Sequence, residues 1–123
     1  MTLKDVKALL NIEQEKAGVF TEEGAIIKAV SEILPYLDEC IVIRQNAVHR
    51  SGIPDLIVCY IGRFIGLELK DNTGVQSSQQ KEWERKIKQA GGYYILADNM
   101  EPIINILNHI WNESVYSRCR SGI

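Results

Sequence analysis

The chain has 123 residues, 46% of them hydrophobic and 24% charged, with a formal net charge of −2. This is enough chain for one domain with its own core, and the composition excludes a largely disordered or fibrous protein. Its three cysteines form no Cys-x-x-Cys pair, its apolar runs are strand-sized and its first residues lack a signal-peptide pattern, so the expectation is a cytoplasmic protein with buried, reduced thiols and no membrane span.

Residues 2–17 predict a short amphipathic helix, capped by Thr2 and stopped by Gly18, with Val6, Leu9, Leu10 and Glu13 on a narrow stripe that docks on the chain's own domain. Thr21 opens a second helix with Ile26, Ile27, Val30, Ile33 and Leu34 on its buried side. Glu22 and Glu23 in its first turn suit the helix dipole. Glu23 also stands three residues before Ile26 and seven before Val30, beside the buried stripe, where a carboxylate needs a cation or a donor. Both readings of Glu23 stand. Cys40–Arg44 is the first strand, and residues 45–51 form a polar connection that carries His49 and Arg50.

Residues 52–70 read as a hairpin of two β-branched and aromatic runs around a two-residue turn, Gly62-Arg63. That turn sets Asp55 opposite Lys70 and Ile57 opposite Glu68. With side chains alternating faces, Asp55, Glu68 and Lys70 converge on one patch at the open end. Asp55 and Glu68 are then diagonal neighbours about 7–8 Å apart, a gap that a divalent cation with ligand bonds near 2.1 Å bridges. Taken alone, Glu68 and Lys70 would be an ordinary solvated strand face. Pro54 at the strand entrance and Gly52 before it make the combination more specific.

Residues 71–75 form a loop with Asn72 and Gly74 as turn residues. Ser77 or Ser78 caps a long helix that ends at Gly91-Gly92. Trp83, Ile87 and Ala90 are its expected buried stripe, and Gln80 faces the same side one turn earlier. Lys81, Arg85 and Lys88 face outward, offset by Glu82 and Glu84. Residues 93–97 are the last strand, a closing helix runs from Glu101-Pro102 to about Trp111, and residues 112–123 are expected to be a coil tail. The domain expectation is an N-terminal helix (1–19), a main domain (20–111) and that tail.

The charge is unevenly spread: residues 1–39 hold four Lys against eight acids, while residues 40–123 hold ten Lys and Arg against eight. The hairpin region is therefore less acidic than the total, which matters for any polyanionic partner.

Pro54-Asp55 followed by Glu68-Leu69-Lys70 resembles the two half-motifs of the PD-(D/E)XK nuclease superfamily. With Glu23 on an early helix, Gly52 before Pro54, Ser77-x-x-Gln80 and the Gly91-Gly92 ending, the order over residues 20–107 resembles the VRR-NUC family. The resemblance implies an α/β fold: a restriction-endonuclease-like core with a mixed central sheet of about four strands flanked by helices. It also implies a metal-dependent nuclease using Mg²⁺ or Mn²⁺, held by Asp55, Glu68, the Leu69 carbonyl and Glu23. Lys70 would orient water or stabilise phosphate charge, and Gln80 would position either. Arg44, His49, Arg50, Arg63 and Ser77 are the candidate phosphate contacts. Small stand-alone members resemble viral (phage) or bacterial homodimers that cut branched DNA such as Holliday junctions, so DNA and a second copy are the expected partners. The dimer surface would draw on the 2–17 helix, Tyr93, Tyr94 or Trp111. A non-cleaving nucleic-acid-binding module on the same fold is the alternative.

Overall fold

Alternation along the hairpin decides which side of the sheet becomes the core. The computed structural model, which describes residues 1–17, 23–45, 52–70 and 75–120, has β2 (Leu56–Tyr60) antiparallel to β3 (Arg63–Leu69). Leu56, Val58, Tyr60, Ile65, Leu67 and Leu69 share one face and are almost wholly buried. β1 (Cys40–Arg44) adds antiparallel to the outer side of β2. α3 (Ser78–Gln89) carries the chain back so that β4 (Tyr93–Ala97) lies parallel to β3, as a helical crossover between neighbouring strands allows. The result is the expected mixed four-stranded sheet, in order β1-β2-β3-β4.

Three helices cover the buried face. α1 (Leu3–Ala17) contributes Leu3, Val6 and Leu10; α2 (Glu23–Ile33) contributes Ile26, Ala29 and Val30; α4 (Glu101–Arg120) contributes Ile103, Leu107 and Ile110. The α1 start forms as its sequence predicts: Thr2 Oγ1 accepts from the Asp5 N–H at 3.3 Å while Asp5 Oδ2 accepts from the Thr2 N–H at 3.2 Å. The Thr2 hydroxyl also donates to Asp5 Oδ2 at 2.9 Å, and that bond first, then the one from the Thr2 N–H, holds the Asp5 carboxyl below its ordinary pKa. The stripe is narrow but docks on its own domain. Expected caps at Gly18 and Thr21 and the Asn72–Gly74 turn lie outside the described residues.

Among the described residues, α3 is the helix on the other face. It comes close because Gly66 has no side chain: a Cβ there would stand 2.9 Å from Pro54 Cγ and 3.0 Å from Ile87 Cδ1. Among the described residues, no helix is long and apolar enough to cross a membrane.

Three expectations are corrected. The hairpin turn is Ile61-Gly62, not Gly62-Arg63: both residues have positive φ, 49° and 75°, as a type I′ turn requires. A β-branched residue resists that conformation. Ile61 is held in it by packing against the core and by its N–H bonding the Glu39 carbonyl at 3.0 Å. Arg63 stays in the strand, opposite Tyr60. The register moves by two residues, so every residue keeps its predicted face.

The coil expected from residue 112 is instead the continuation of α4 to Arg120. Ser114 is buried at the next step of the Ile103, Leu107, Ile110 stripe, and Glu113 accepts from the Tyr93 hydroxyl at 3.1 Å and from His109 at 2.7 Å. Tertiary contacts carry the helix where the apolar pattern lapses. Cys59 is exposed rather than buried: it pairs with Phe64 and so points to the face away from the helix-covered core. Cys40 is partly covered, and burial pushes its thiol up to about 11.

Candidate active site

The open end of the hairpin is where β2 parts from β3. Asp55 continues the β1–β2 ladder one residue beyond β2, its carbonyl accepting from the Gln45 N–H at 2.9 Å. Towards β3 a side chain replaces the ladder: Asp55 Oδ2 accepts the Leu69 N–H at 2.8 Å. Buried Pro54, packed on the Gly66 position, turns the preceding chain away. Extending the β2–β3 register by one step sets Asp55 opposite Glu68, not diagonal to it. Directly opposite residues of a continuous ladder have Cβ atoms about 4.5–5.5 Å apart, but here the ladder has ended at Leu56 and Leu67, and Asp55 is fixed to β3 by its Leu69 bond instead.

Glu68 is 3% exposed, and its Oε1 accepts from Gln80 Nε2 at 2.8 Å and stands 3.9 Å from Lys70 Nζ. Lys70 is itself only 17% exposed at its side chain. A buried carboxylate needs such donors, because an unpaired charge in this place would be very costly. Gln80 arrives by helix geometry. Ser77 caps α3 in a full capping box, its hydroxyl accepting from the Gln80 N–H at 3.1 Å while Gln80 Oε1 accepts from the Ser77 N–H at 2.8 Å. The Gln80 amide thus spans the cap with its oxygen and the site with its nitrogen. Gly52 seats this junction with φ +87° and so little room that a Cβ would lie 2.5 Å from the Gln79 carbonyl carbon.

The Leu69 backbone faces the same opening. In an antiparallel ladder a residue turns its N–H and C=O to the same neighbour. The Leu69 N–H goes to Asp55, so its carbonyl turns there too, whereas the Lys70 N–H goes to Ala97 in β4 at 2.9 Å. Asp55, through its bond to Leu69, and Glu68, the residue before Leu69, bring two carboxylates and a backbone carbonyl, all hard oxygen donors, to one end of β3, with Lys70 beside Glu68. This donor set suits Mg²⁺ or Mn²⁺ and is a poor match for zinc or copper.

No family model matches this sequence, and no curated protein matches it. A comparison with solved structures finds a "VRR_NUC domain" at a TM-score of 0.55 and 22% identity, covering 72% of this chain and 97% of that one. The fold is that of a VRR_NUC domain.

On this VRR_NUC fold the remaining candidates are scattered. Arg44 pairs opposite Leu56 and so points to the helix-covered face, away from Asp55 and Glu68. It does not lie beside the acids, because strand parity assigns it with Cys40 and Val42. Arg63 is at the turn end of β3, five residues or about 16 Å from Glu68, with Nη1 on the Ile61 carbonyl at 3.2 Å and Nε 4.0 Å from Glu113. Ser77 is at the site end, its hydroxyl engaged in the cap. His49 and Arg50 lie outside the described residues, as does the Glu23 side chain, although Glu23 opens α2. Among the described residues, no three His, Cys, Asp or Glu side chains gather into one group.

Two residues at the site were not predicted for it. Tyr94 pairs with Gly66 across the parallel β3–β4 ladder and is buried on the α3 face. Burial, with the charges of Glu68, Glu84 and Asp55 adding to it, pushes its hydroxyl up to about 12, although the Gln76 hydrogen bond opposes the shift. Gln76 Nε2 ties that hydroxyl, at 3.1 Å, to Glu84, also at 3.1 Å. The period-two pattern of 93–97 could assign Tyr94 a face, but not which face or which neighbour.

Proposed function

We propose that this chain is a divalent-metal-dependent DNA nuclease of the VRR-NUC kind, a cytoplasmic homodimer that hydrolyses phosphodiester bonds in branched DNA. The observation that carries the reading is the replacement of a ladder bond by the Asp55 carboxylate, which is held on the Leu69 amide, next in the chain to buried Glu68.

Asp55, Glu68 and the Leu69 carbonyl would hold the cation, with Glu23 as a further ligand on α2. A bound Mg²⁺ or Mn²⁺ supplies a lower pKa for coordinated water and neutralises charge on the scissile phosphate. Gln80 fixes the rotation of the Glu68 carboxylate, so the donor geometry is set before substrate arrives. Lys70, held at the rim by Glu68, supplies a positive charge where negative charge builds on the phosphate oxygens. Attack by water on phosphorus, with release of the sugar oxygen, needs no protein nucleophile. A two-fold dimer would present two such sites to a four-way junction.

The test is a panel of end-labelled linear, flap and four-way DNA with Mg²⁺, Mn²⁺ or EDTA, with the mass read by light scattering. The proposal expects cleavage with either metal, none with EDTA, the fastest turnover on the four-way substrate, and a mass twice the 13.9 kDa of one chain. DNA binding without cleavage under any metal would favour the non-cleaving module. Cleavage that persists in EDTA would remove the metal from the mechanism.

A further inference from the structure

The apolar stripe of α3 is not fully covered. Trp83 is half-buried, Ala90 is exposed, and Phe64 on β3 remains 42% exposed. Between them lies a pocket of about 450 Å³ lined by Phe64, Trp83, Lys86, Ile87, Ala90 and Gly92. That is the size range of small-ligand sites. Its floor depends on Gly92, where a Cβ would press on Phe64 Cδ1 at 3.1 Å and on Ile87 Cγ2 at 3.0 Å. Two aromatic rings, one from the sheet and one from the helix, therefore border a shallow apolar space.

Its charge is as informative as its rings. On α3, Arg85 is tied to Glu82 and Lys88 to Glu84. Lys86 belongs to neither pair, and its ammonium sits 5.2 Å from the centre of the Trp83 ring at the pocket rim. A ligand that fits is flat and apolar on its faces and carries a negative charge beside it. An unpaired nucleotide has that form: a base to stack on aromatic rings and a phosphate for the lysine.

The pocket also stands in register with the acids. Phe64 and Glu68 lie on the same face of β3, four residues or about 13 Å apart, and the α3 stripe runs beside them from Gln80, bonded to Glu68, through Trp83 to Ile87. A strand whose phosphate lies at Asp55 and Glu68 would bring a base a few nucleotides away to Trp83 and Phe64. We infer that the Phe64–Trp83–Lys86 pocket binds one unpaired nucleobase of the DNA strand held at the Asp55–Glu68 site. The inference rests on the nuclease reading for its substrate. On a four-way junction that base would come from the crossover, where stacking between the arms is interrupted and a base is cheapest to draw out of the helix.

The experiment is run with Ca²⁺ in place of Mg²⁺, a hard cation for the same oxygen donors and a weaker Lewis acid, so that the strand can be held while binding is read apart from cleavage. The probe is a single-stranded oligothymidine of about 12 nucleotides, compared with an abasic strand of equal length. Fluorescence anisotropy should show the intact strand binding about 10-fold more tightly than the abasic one. Trp83→Ala should remove that difference and leave abasic binding unchanged. Phe64→Ala should reduce the difference, and serves as the second variant if Trp83→Ala does not fold. In a Trp111→Phe background, the intact strand should quench Trp83 emission and the abasic strand should not. Equal affinity for the two strands overturns the inference. So does an equal loss on both strands in the variants, or a Trp83→Ala protein that changes from dimer to monomer, since a second copy would then be the occupant. Base-dependent binding with no cleavage in Mg²⁺ would sink the nuclease reading and leave the pocket standing.

Discussion

Asp55→Asn and Glu68→Gln are each expected to lower metal-dependent DNA cleavage by at least about 100-fold while leaving the protein folded. Each removes one anionic oxygen ligand and keeps the side chain's shape. The choice of Asn matters at position 55, because Asp55 Oδ2 accepts the Leu69 N–H at 2.8 Å. Asparagine keeps an acceptor there. Alanine would strand a partly buried amide, at about 1–3 kcal/mol, and so confuse a folding loss with a chemical one. At position 68, glutamine keeps an oxygen for the Gln80 amide. Without a cation the two carboxylates repel, so neutralising either one should not weaken the fold through their mutual term. Cleavage rates and thermal melts on the same preparations check this: full activity in either variant would remove that residue from the site.

The largest stability effect is expected at Gly52. Its φ of +87° already disfavours any side chain, and a Cβ would stand 2.5 Å from the Gln79 carbonyl carbon and 2.6 Å from its oxygen. Left-handed backbone at a non-glycine residue costs about 1–3 kcal/mol. The overlap adds to that, because Gln79 lies in a helical turn pinned by the Ser77–Gln80 capping box and cannot step aside cheaply. Gly52→Ala should therefore destabilise the domain by about 3 kcal/mol or more and lower Tm by roughly 10 °C. Gly91→Ala is the matched control, with φ +90° but nothing within 4 Å of the added Cβ, and should lose only the conformational part. Circular dichroism melts of both variants decide it: equal losses would mean that the close approach of Gly52 to α3 has no energetic weight. Because α3 also delivers Gln80 to Glu68, Gly52→Ala should lose cleavage along with stability.

The mixed four-stranded frame was legible in the sequence, and so was the proximity of the candidate site residues on one face of the hairpin. Period-two alternation placed Asp55, Glu68 and Lys70 together, and the error in the turn did no harm because a two-residue slip preserves parity. The turn itself was not legible, since Ile61 at positive φ runs against the preference of a β-branched residue and is fixed by core contacts distant in sequence. Gln80 was legible as a helix-face neighbour of Trp83, but its bond to Glu68 required the crossover that brings α3 back over β3. Arg44 was a strand residue whose face depended on register with β2, and that register set it on the wrong side for the acids. The end of α4 was hidden for a related reason: Ser114 breaks the apolar pattern yet is buried, held by neighbours that only the folded chain supplies. Tyr94 and Gln76 required the parallel β3–β4 register, which no local pattern encodes.

The most direct measurement is anomalous diffraction from crystals soaked in millimolar Mn²⁺. A manganese peak between the Asp55 and Glu68 carboxylates, within bonding distance of the Leu69 carbonyl, is the predicted result, with the peak lost in Asp55→Asn. Manganese bound elsewhere on the chain, with no peak at this gap, would contradict the assignment of the hairpin's open end as a metal-dependent catalytic centre.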